Sequence, residues 1–290
     1  MNTIEKLRHF IDRGALSGKF KQALWALALV IALFLILCPL YLLVKYAVSD
    51  SASINTGGKP IPLWPYHATL RTFIYLFTDK QFYQVLSNSA FIAVGTVAFS
   101  MLLGVPAAYA LSRHRLPGLK FIMIGLISIR LFPDISSIIP IAEIFIRCNL
   151  NNTFTGVIFA HTLLALPYVI FIAMSAFETI PTDLEQQAMV MGANRFQIFL
   201  KILVPLVVPG LAAAAIYTFL LSWDEFIFSY FLLGLGKITT LTLYLKQKFS
   251  FSPPQNLLAT ISVCLSLPVI AFTLLLQKYL TAGITAGSVK

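Results

Sequence analysis

The chain of 290 residues is 58% hydrophobic and only 11% charged, with a mean hydropathy of +0.85 and a formal net charge of +10. A soluble domain carries roughly 45–50% apolar and about 25% charged residues, so this composition excludes an ordinary soluble enzyme and indicates an integral membrane protein. The basic excess marks loops on one membrane face. No basic cluster has the glycine and aromatic interleaving of a nucleic-acid module, so no nucleic-acid partner is expected.

The polar segment 1–23 is too long before its first apolar run for a cleaved signal peptide, so the first span is expected to remain as an anchor. A spanning helix needs about 20 mostly apolar residues. Such windows lie at 24–44, 85–111, 121–146, 154–177, 206–233 and 257–280. Runs of this length are not barrel strands, so they predict an all-α protein with six transmembrane helices. The expected organisation is a polar N-terminal segment (1–23), a first transmembrane helix (24–48), a Gly-, Pro- and Ser-rich connection (49–84), a five-helix core (85–281) and a C-terminal tail (282–290).

Orientation follows from Lys and Arg. One side gathers Lys6, Arg8, Arg13, Lys19, Lys21, Arg113, Arg115, Lys120, Arg195, Lys201, Lys278 and Lys290. The other gathers Lys59, Arg71, Lys80, Arg147, Lys237, Lys246 and Lys248. The richer side is the cytoplasmic one, which predicts cytoplasmic termini and an extracytoplasmic 49–84.

Two predicted spans are interrupted by residues that hydrocarbon does not tolerate. The third reads IRLFPDISSIIPIAEIF, with Pro133 and Pro140 and with Arg130, Asp134 and Glu143 at membrane depth. Proline removes a helix hydrogen bond, and charges at that depth have to face protein or water. The fifth carries Pro205 and Pro209 at its entry and the triplet Trp223, Asp224, Glu225 near its far end. The triplet either sits at the outer interface or lines an aqueous path. The apolar FIFSYFLL that follows favours the path, and Phe132, Pro133 and Asp134 join it as candidate path or gate residues.

Between the fourth and fifth windows runs EQQAMVMGANRFQIFLKILVP, residues 185–205. Thr182 and Glu185 have the spacing of a capping box, which predicts a helix start. Leu184, Ala188 and Met191 then share a face, and Gly192 suits the left-handed position that closes a short helix. Phe196, Phe199, Leu200 and Leu203 line a second helix leading to Pro205. A helix, turn and helix with a narrow apolar face is either a connector or an insert for a partner's groove.

This stretch resembles the cytoplasmic loop of permease subunits of binding-protein-dependent ABC importers, whose pattern is Glu-Ala-Ala, three residues, Gly, nine residues, Ile-x-Leu-Pro. Here Gln186, Gln187 and Ala188 fill the triplet, Gly192 follows, and Ile202 to Pro205 close it. Gln186 stands for the family's Glu, Gln187 for its first Ala, Val204 for its Leu and Met191 for a common Asp. WDEFIFSYFLL and the C-terminal QKYLTAGITAGSVK are similar to the fifth-span and terminal sequences of the maltose-type carbohydrate permeases.

The resemblance implies a type I importer permease fold with a cytoplasmic coupling helix, in a multi-pass subunit of a prokaryotic inner or plasma membrane. It implies a second homologous permease, two cytoplasmic ATP-binding subunits holding ATP and Mg, and an extracytoplasmic solute-binding protein, with no cofactor in this chain. Glu185, Gln186, Gln187, Ala188, Gly192, Ala193, Ile202 and Pro205 are the implied ATPase-coupling residues. With Gln at 186, either the seat lacks a charge-assisted hydrogen bond that a carboxylate would supply, or the ATPase groove has changed to match. The resemblance to the maltose-type permeases implies a sugar or oligosaccharide as cargo, and hydrogen-bonding carboxylates with flat aromatic faces suit such a cargo. A polyamine, phosphate ester or amino acid is the alternative, and a self-sufficient secondary carrier is the more distant one.

No catalytic or metal site is expected. GALSGKF at Gly14 is one residue short of a phosphate-binding loop and has Phe20 where Ser or Thr is needed. Cys38, Cys148 and Cys264 are scattered, as are His9, His67, His114 and His161.

Overall fold

The computed structural model describes residues 18–50, 54, 63–65, 67–113, 118–234, 236–249 and 254–287. Most of the predicted N-terminal segment, much of 49–84 and the last three residues lie outside the described residues, with Lys6, Arg8, Arg13, Lys59, Arg115 and Lys290.

Backbone groups in hydrocarbon have to pair within the chain, and the apolar windows accordingly form helices. In chain order these are α1 (Gly18–Val48), α2 (Arg71–Thr78), α3 (Lys80–Arg113), α4 (Leu119–Ile129), α5 (Asp134–Arg147), α6 (Phe154–Glu178) and α7 (Thr182–Val190). They continue with α8 (Arg195–Leu206), α9 (Val208–Asp224), α10 (Ile227–Leu233), α11 (Leu241–Phe249) and α12 (Gln255–Gly287). Among the described residues, α1, α3, α6 and α12 are long and apolar enough to cross a membrane. α8 and α9 make a fifth candidate span, bent by 77°.

The remaining window, 121–146, is not one helix. α4 stops at Ile129 and Pro133 caps α5, giving two helices of 11 and 14 residues. Proline has no N–H to continue the ladder and drives the preceding residue out of helical geometry. The window 206–233 is also cut. Glu225 is extended (ψ 129) and separates α9 from α10. The bend between α8 and α9 has the same chemical origin. Residues Ile198–Leu203 of α8 are π-helical, which gives the ring of Pro205 room against the carbonyl four residues back. Val207 then turns the chain (φ −96, ψ 7), and Pro209 sits in the first turn of α9, where its missing N–H costs nothing.

The described chain divides into two units. The first joins residues up to 72 with 254–260. In it Ser49 bridges Ala68, Thr69 N–H donates to Val48 O (2.7 Å), and Asn256 Nδ2 donates to Thr72 Oγ1 (3.1 Å). The second unit, 73–253 with 261–290, holds the functional elements. Its centre is α3, α6 and α9 packed on one another, with α5 and α10 against one part and α11 along α3.

Two apolar clusters lie along this centre. One gathers Ile92, Ile138, Phe145, Val157, Phe228 and Leu233, and the other Val105, Phe177, Ala188, Ile198, Leu203 and Leu211. Between them in the chain, Thr96 and Ser100 on α3 and Thr218 on α9 are fully buried hydroxyls. Lipid tails are as apolar as leucine, so close packing rather than water exclusion holds such helices together. Small residues allow it. A Cβ on Gly104 would lie 2.6 Å from Val169 Cγ1, and one on Gly210 would lie 2.5 Å from Ala176 Cβ. The Ala176 methyl cannot rotate away. Gly210→Val is therefore expected to part α9 from α6 at a cost of about 1–3 kcal/mol. A lower thermal midpoint of the detergent-solubilised protein would show it, and an unchanged midpoint would refute the contact.

Candidate functional site

The stretch after α6 folds as the predicted helix, turn and helix, but with different local chemistry. The Thr182–Glu185 capping box does not form. The N-cap is Pro181, Thr182 is already helical, and no side chain caps the end. The box forms at the second helix instead, where Asn194 Oδ1 accepts from Gln197 N–H (2.8 Å) and Gln197 Oε1 accepts from Asn194 N–H (3.0 Å). Gly192 takes the expected left-handed conformation (φ +88). Its N–H donates to Met189 O (3.0 Å) and the Ala193 N–H to Ala188 O (3.0 Å), which is a Schellman closure.

Released from the cap, Glu185 turns inward. Its carboxylate pairs with Arg113 at the end of α3 and accepts from Tyr109 Oη (3.0 Å). Arg113 Nη2 also donates to Ile180 O (3.0 Å). Ala188 is buried with Ile198 and Leu203, and Leu184, Ala193 and Ile202 are partly buried. Met191, predicted to share a face with Leu184 and Ala188, is 89% exposed because it is the cap residue at which the helical period ends. Phe196, predicted to face the apolar side, is 71% exposed, and Leu200 is exposed as well. Gln186, Gln187, Gly192 and Pro205 are exposed. The turn thus presents Val190, Met191 and Phe196, three large apolar side chains, beside two glutamines.

The Trp223–Glu225 triplet separates into three environments. Trp223 is buried, stacks on Phe219 (5.6 Å between centroids) and donates Nε1–H to Leu265 O (3.0 Å) on α12. Asp224 is exposed at the edge of a cavity of about 570 Å³ bordered by Phe226, Lys246 and Phe249. Glu225 points into the protein. Its oxygens accept from Phe228 N–H (2.7 Å), Ser229 N–H (2.9 Å) and Ser229 Oγ (3.1 Å), covering the open N–H groups of α10. The same carboxylate meets His161 Nε2 at 3.0 Å, and His161 Nδ1 lies 2.8 Å from Ser222 Oγ. A carboxylate accepts, so Nε2 carries the hydrogen on that side.

His161 is fully buried in α6 and was the functional candidate missed by sequence reasoning, which treated the histidines as dispersed. An ionisable residue inside an apolar span was the available signal. At the α4–α5 break, Arg130 pairs with Asp134 (3.3 Å) and lies over the Tyr168 ring (5.3 Å), while Phe132 and Pro133 are exposed. The structure therefore does not bring Phe132 and Pro133 into the buried network around Glu225.

α3, α6 and α9 thus form a bundle of candidate membrane spans, with a buried histidine–glutamate contact at its centre and an exposed apolar turn at the α7–α8 junction. Residues 87–286 match the family of binding-protein-dependent transport system inner membrane components, and the chain belongs to that family. Such chains are non-catalytic subunits of ABC importers, with the ATPase in separate subunits.

The chain is 33% identical over 233 residues to the sulfoquinovosyl glycerol transport system permease of Agrobacterium fabrum, spanning 80% of this chain and 82% of that one. It is 29% identical over 276 residues to the trehalose transport system permease of Mycobacterium tuberculosis, spanning 94% and 99%. Its fold is similar to a chain of a bacterial ABC transporter involved in the import of the acidic polysaccharide alginate. That match has a TM-score of 0.75 at 23% identity, over 92% of this chain and 99% of that one. A chain of the inward-facing MetNI methionine ABC transporter aligns with a TM-score of 0.53 at 20% identity, over 70% and 98%.

Proposed function

We propose that this chain forms half of the translocation pathway of an ATP-driven carbohydrate importer and is coupled to its ATPase subunits through α7, Gly192 and α8. The exposed turn of Val190, Met191 and Phe196, held on a buried base of Ala188, Ile198 and Leu203, carries the coupling part of this reading. A short helical element with an uncovered apolar tip suits a partner's groove. The relatives named for trehalose and sulfoquinovosyl glycerol transport carry the carbohydrate part.

In this reading the termini and the α7–α8 turn are cytoplasmic. A second permease completes the pathway, a solute-binding protein delivers cargo from outside, and two partner subunits hold ATP and Mg. Closure of those subunits moves α7, and the spans follow largely as rigid bodies. Gln186 and Gln187 supply neutral hydrogen bonds to the groove, while Ala193, Ile202 and Pro205 set the exit of the chain toward α9.

Gentle affinity purification from native membranes, with partners identified by mass spectrometry, tests the assembly. Recovery of a second permease and an ATPase supports it, and a stable lone chain overturns it. Asp224 is the path residue best placed to meet cargo. A hydrogen bond to a charged group contributes about 1.5–3 kcal/mol, so Asp224→Ala is expected to reduce uptake by ~tenfold or more with subunit assembly intact. Normal uptake in that variant would return Asp224 to an interfacial role.

A further inference from the structure

The carboxylate of Glu185, counted above with the coupling residues, is not available to a partner. Both of its oxygens are engaged within the chain, one by Arg113 and the other by Tyr109 Oη at 3.0 Å. The Arg113 and Glu185 side chains are 9% and 13% exposed. Arg113 also holds Ile180 O (3.0 Å), in the connection from α6 to α7. The Tyr109 ring packs on Phe177 of α6 (5.6 Å) and on Phe199 in the π-helical part of α8 (5.1 Å). Four pieces of chain thus meet at the last turn of α3.

The backbone ties of α7 to the spans are weaker. At one end is the connection ending in Pro181, at the other the turn at Gly192, and both are short joints that bend by changing a few dihedral angles. The Ala188 methyl adds an apolar contact without direction. Among the described residues, only the Arg113–Glu185–Tyr109 group fixes α7 to a long span by directed, charge-assisted bonds.

We propose that Arg113 and Glu185 are positioning residues that make α7 and α3 move as one body. Displacement of α7 by the ATPase then reaches α3, and through it α6 and α9, instead of being absorbed in the joints. This inference rests on the coupling reading above, and it replaces the sequence-based role of Glu185 at the partner surface with one inside the chain.

Spin labels at Asp183, exposed on α7, and Leu102, exposed on α3, report the inter-helix distance in the purified whole transporter. Cys38, Cys148 and Cys264 are replaced by serine, and ATP with vanadate is the only addition. The parent is expected to keep one distance distribution with and without ATP–vanadate. Glu185→Gln is expected to match the parent at rest and to shift or broaden by ~2 Å or more when ATP–vanadate is added. Arg113→Lys, which keeps the charge and loses the fork, is expected to fall between them.

A Glu185→Gln distribution that stays fixed under ATP–vanadate overturns the proposal. So does one already altered at rest, or a complex that fails to assemble, since each assigns the pair to folding alone. ATP hydrolysis by the same samples separates the two readings. Preparations without an ATPase partner overturn the coupling reading itself, whereas hydrolysing complexes with a fixed distance in the variant overturn only the clamp.

Discussion

Replacing Glu225 by alanine is expected to unfold the centre of the protein at temperatures where the parent is stable. The carboxylate closes the first N–H groups of α10 at 2.7 and 2.9 Å and meets His161 Nε2 at 3.0 Å. Removing this acceptor leaves two backbone N–H groups and His161 Nε2 without their partner in the protein interior, at about 1–3 kcal/mol for each unsatisfied group. For a protein of this size that corresponds to a fall in thermal midpoint on the order of 10 °C. The double variant His161→Ala with Glu225→Ala should lose less than the two single losses added together, since contacting residues are not independent. Thermal unfolding of the four proteins in one detergent measures the cycle. A fall of under ~2 °C for Glu225→Ala, or strict additivity, would show that the pair carries little of the fold.

Gly192→Leu is expected to abolish most uptake while the protein still reaches the membrane. A side chain at φ +88 carries roughly 1–2 kcal/mol of backbone strain. The strain is relieved by opening the turn that sets the direction of Val190, Met191 and Phe196. Bulk is not the cause, because a Cβ at this position meets nothing within 4 Å. Asparagine tolerates the left-handed region, so Gly192→Asn should retain much of the transport that Gly192→Leu loses. Uptake and ATP hydrolysis are measured together in membranes holding equal amounts of each variant. Equal uptake by the leucine and asparagine variants would remove the turn geometry from the mechanism.

The parts of this protein that were legible in the sequence are those decided locally. A run of twenty apolar residues has few options in a bilayer. Gly192 announces its left-handed turn because few other residues adopt one, and Pro133, Pro205 and Pro209 mark breaks because each lacks a donor. Glu185 was misread for a complementary reason. Its spacing from Thr182 fits a local cap, but Arg113, 72 positions earlier, offers its carboxylate a charged partner sheltered from water. Asn194 and Gln197 have the capping-box chemistry and were overlooked in its favour. The His161–Glu225 contact joins α6 to the break between α9 and α10, residues 64 apart, and no periodicity in a single chain encodes that separation. Val190, Met191 and Phe196 read as ordinary apolar residues in the sequence; only the folded turn shows that nothing in the described chain covers them.

Those three side chains have a practical consequence for handling the molecule. Detergent and lipid shield the apolar flanks of the spans, but a tip of this kind stands clear of the helical bundle. Prepared without whatever normally covers it, the subunit carries an adhesive spot that concentration will bring against its counterparts. On the docking proposed above, co-expression with the ATPase, or a single polar replacement such as Met191→Gln in material intended only for biophysics, is expected to reduce such self-association.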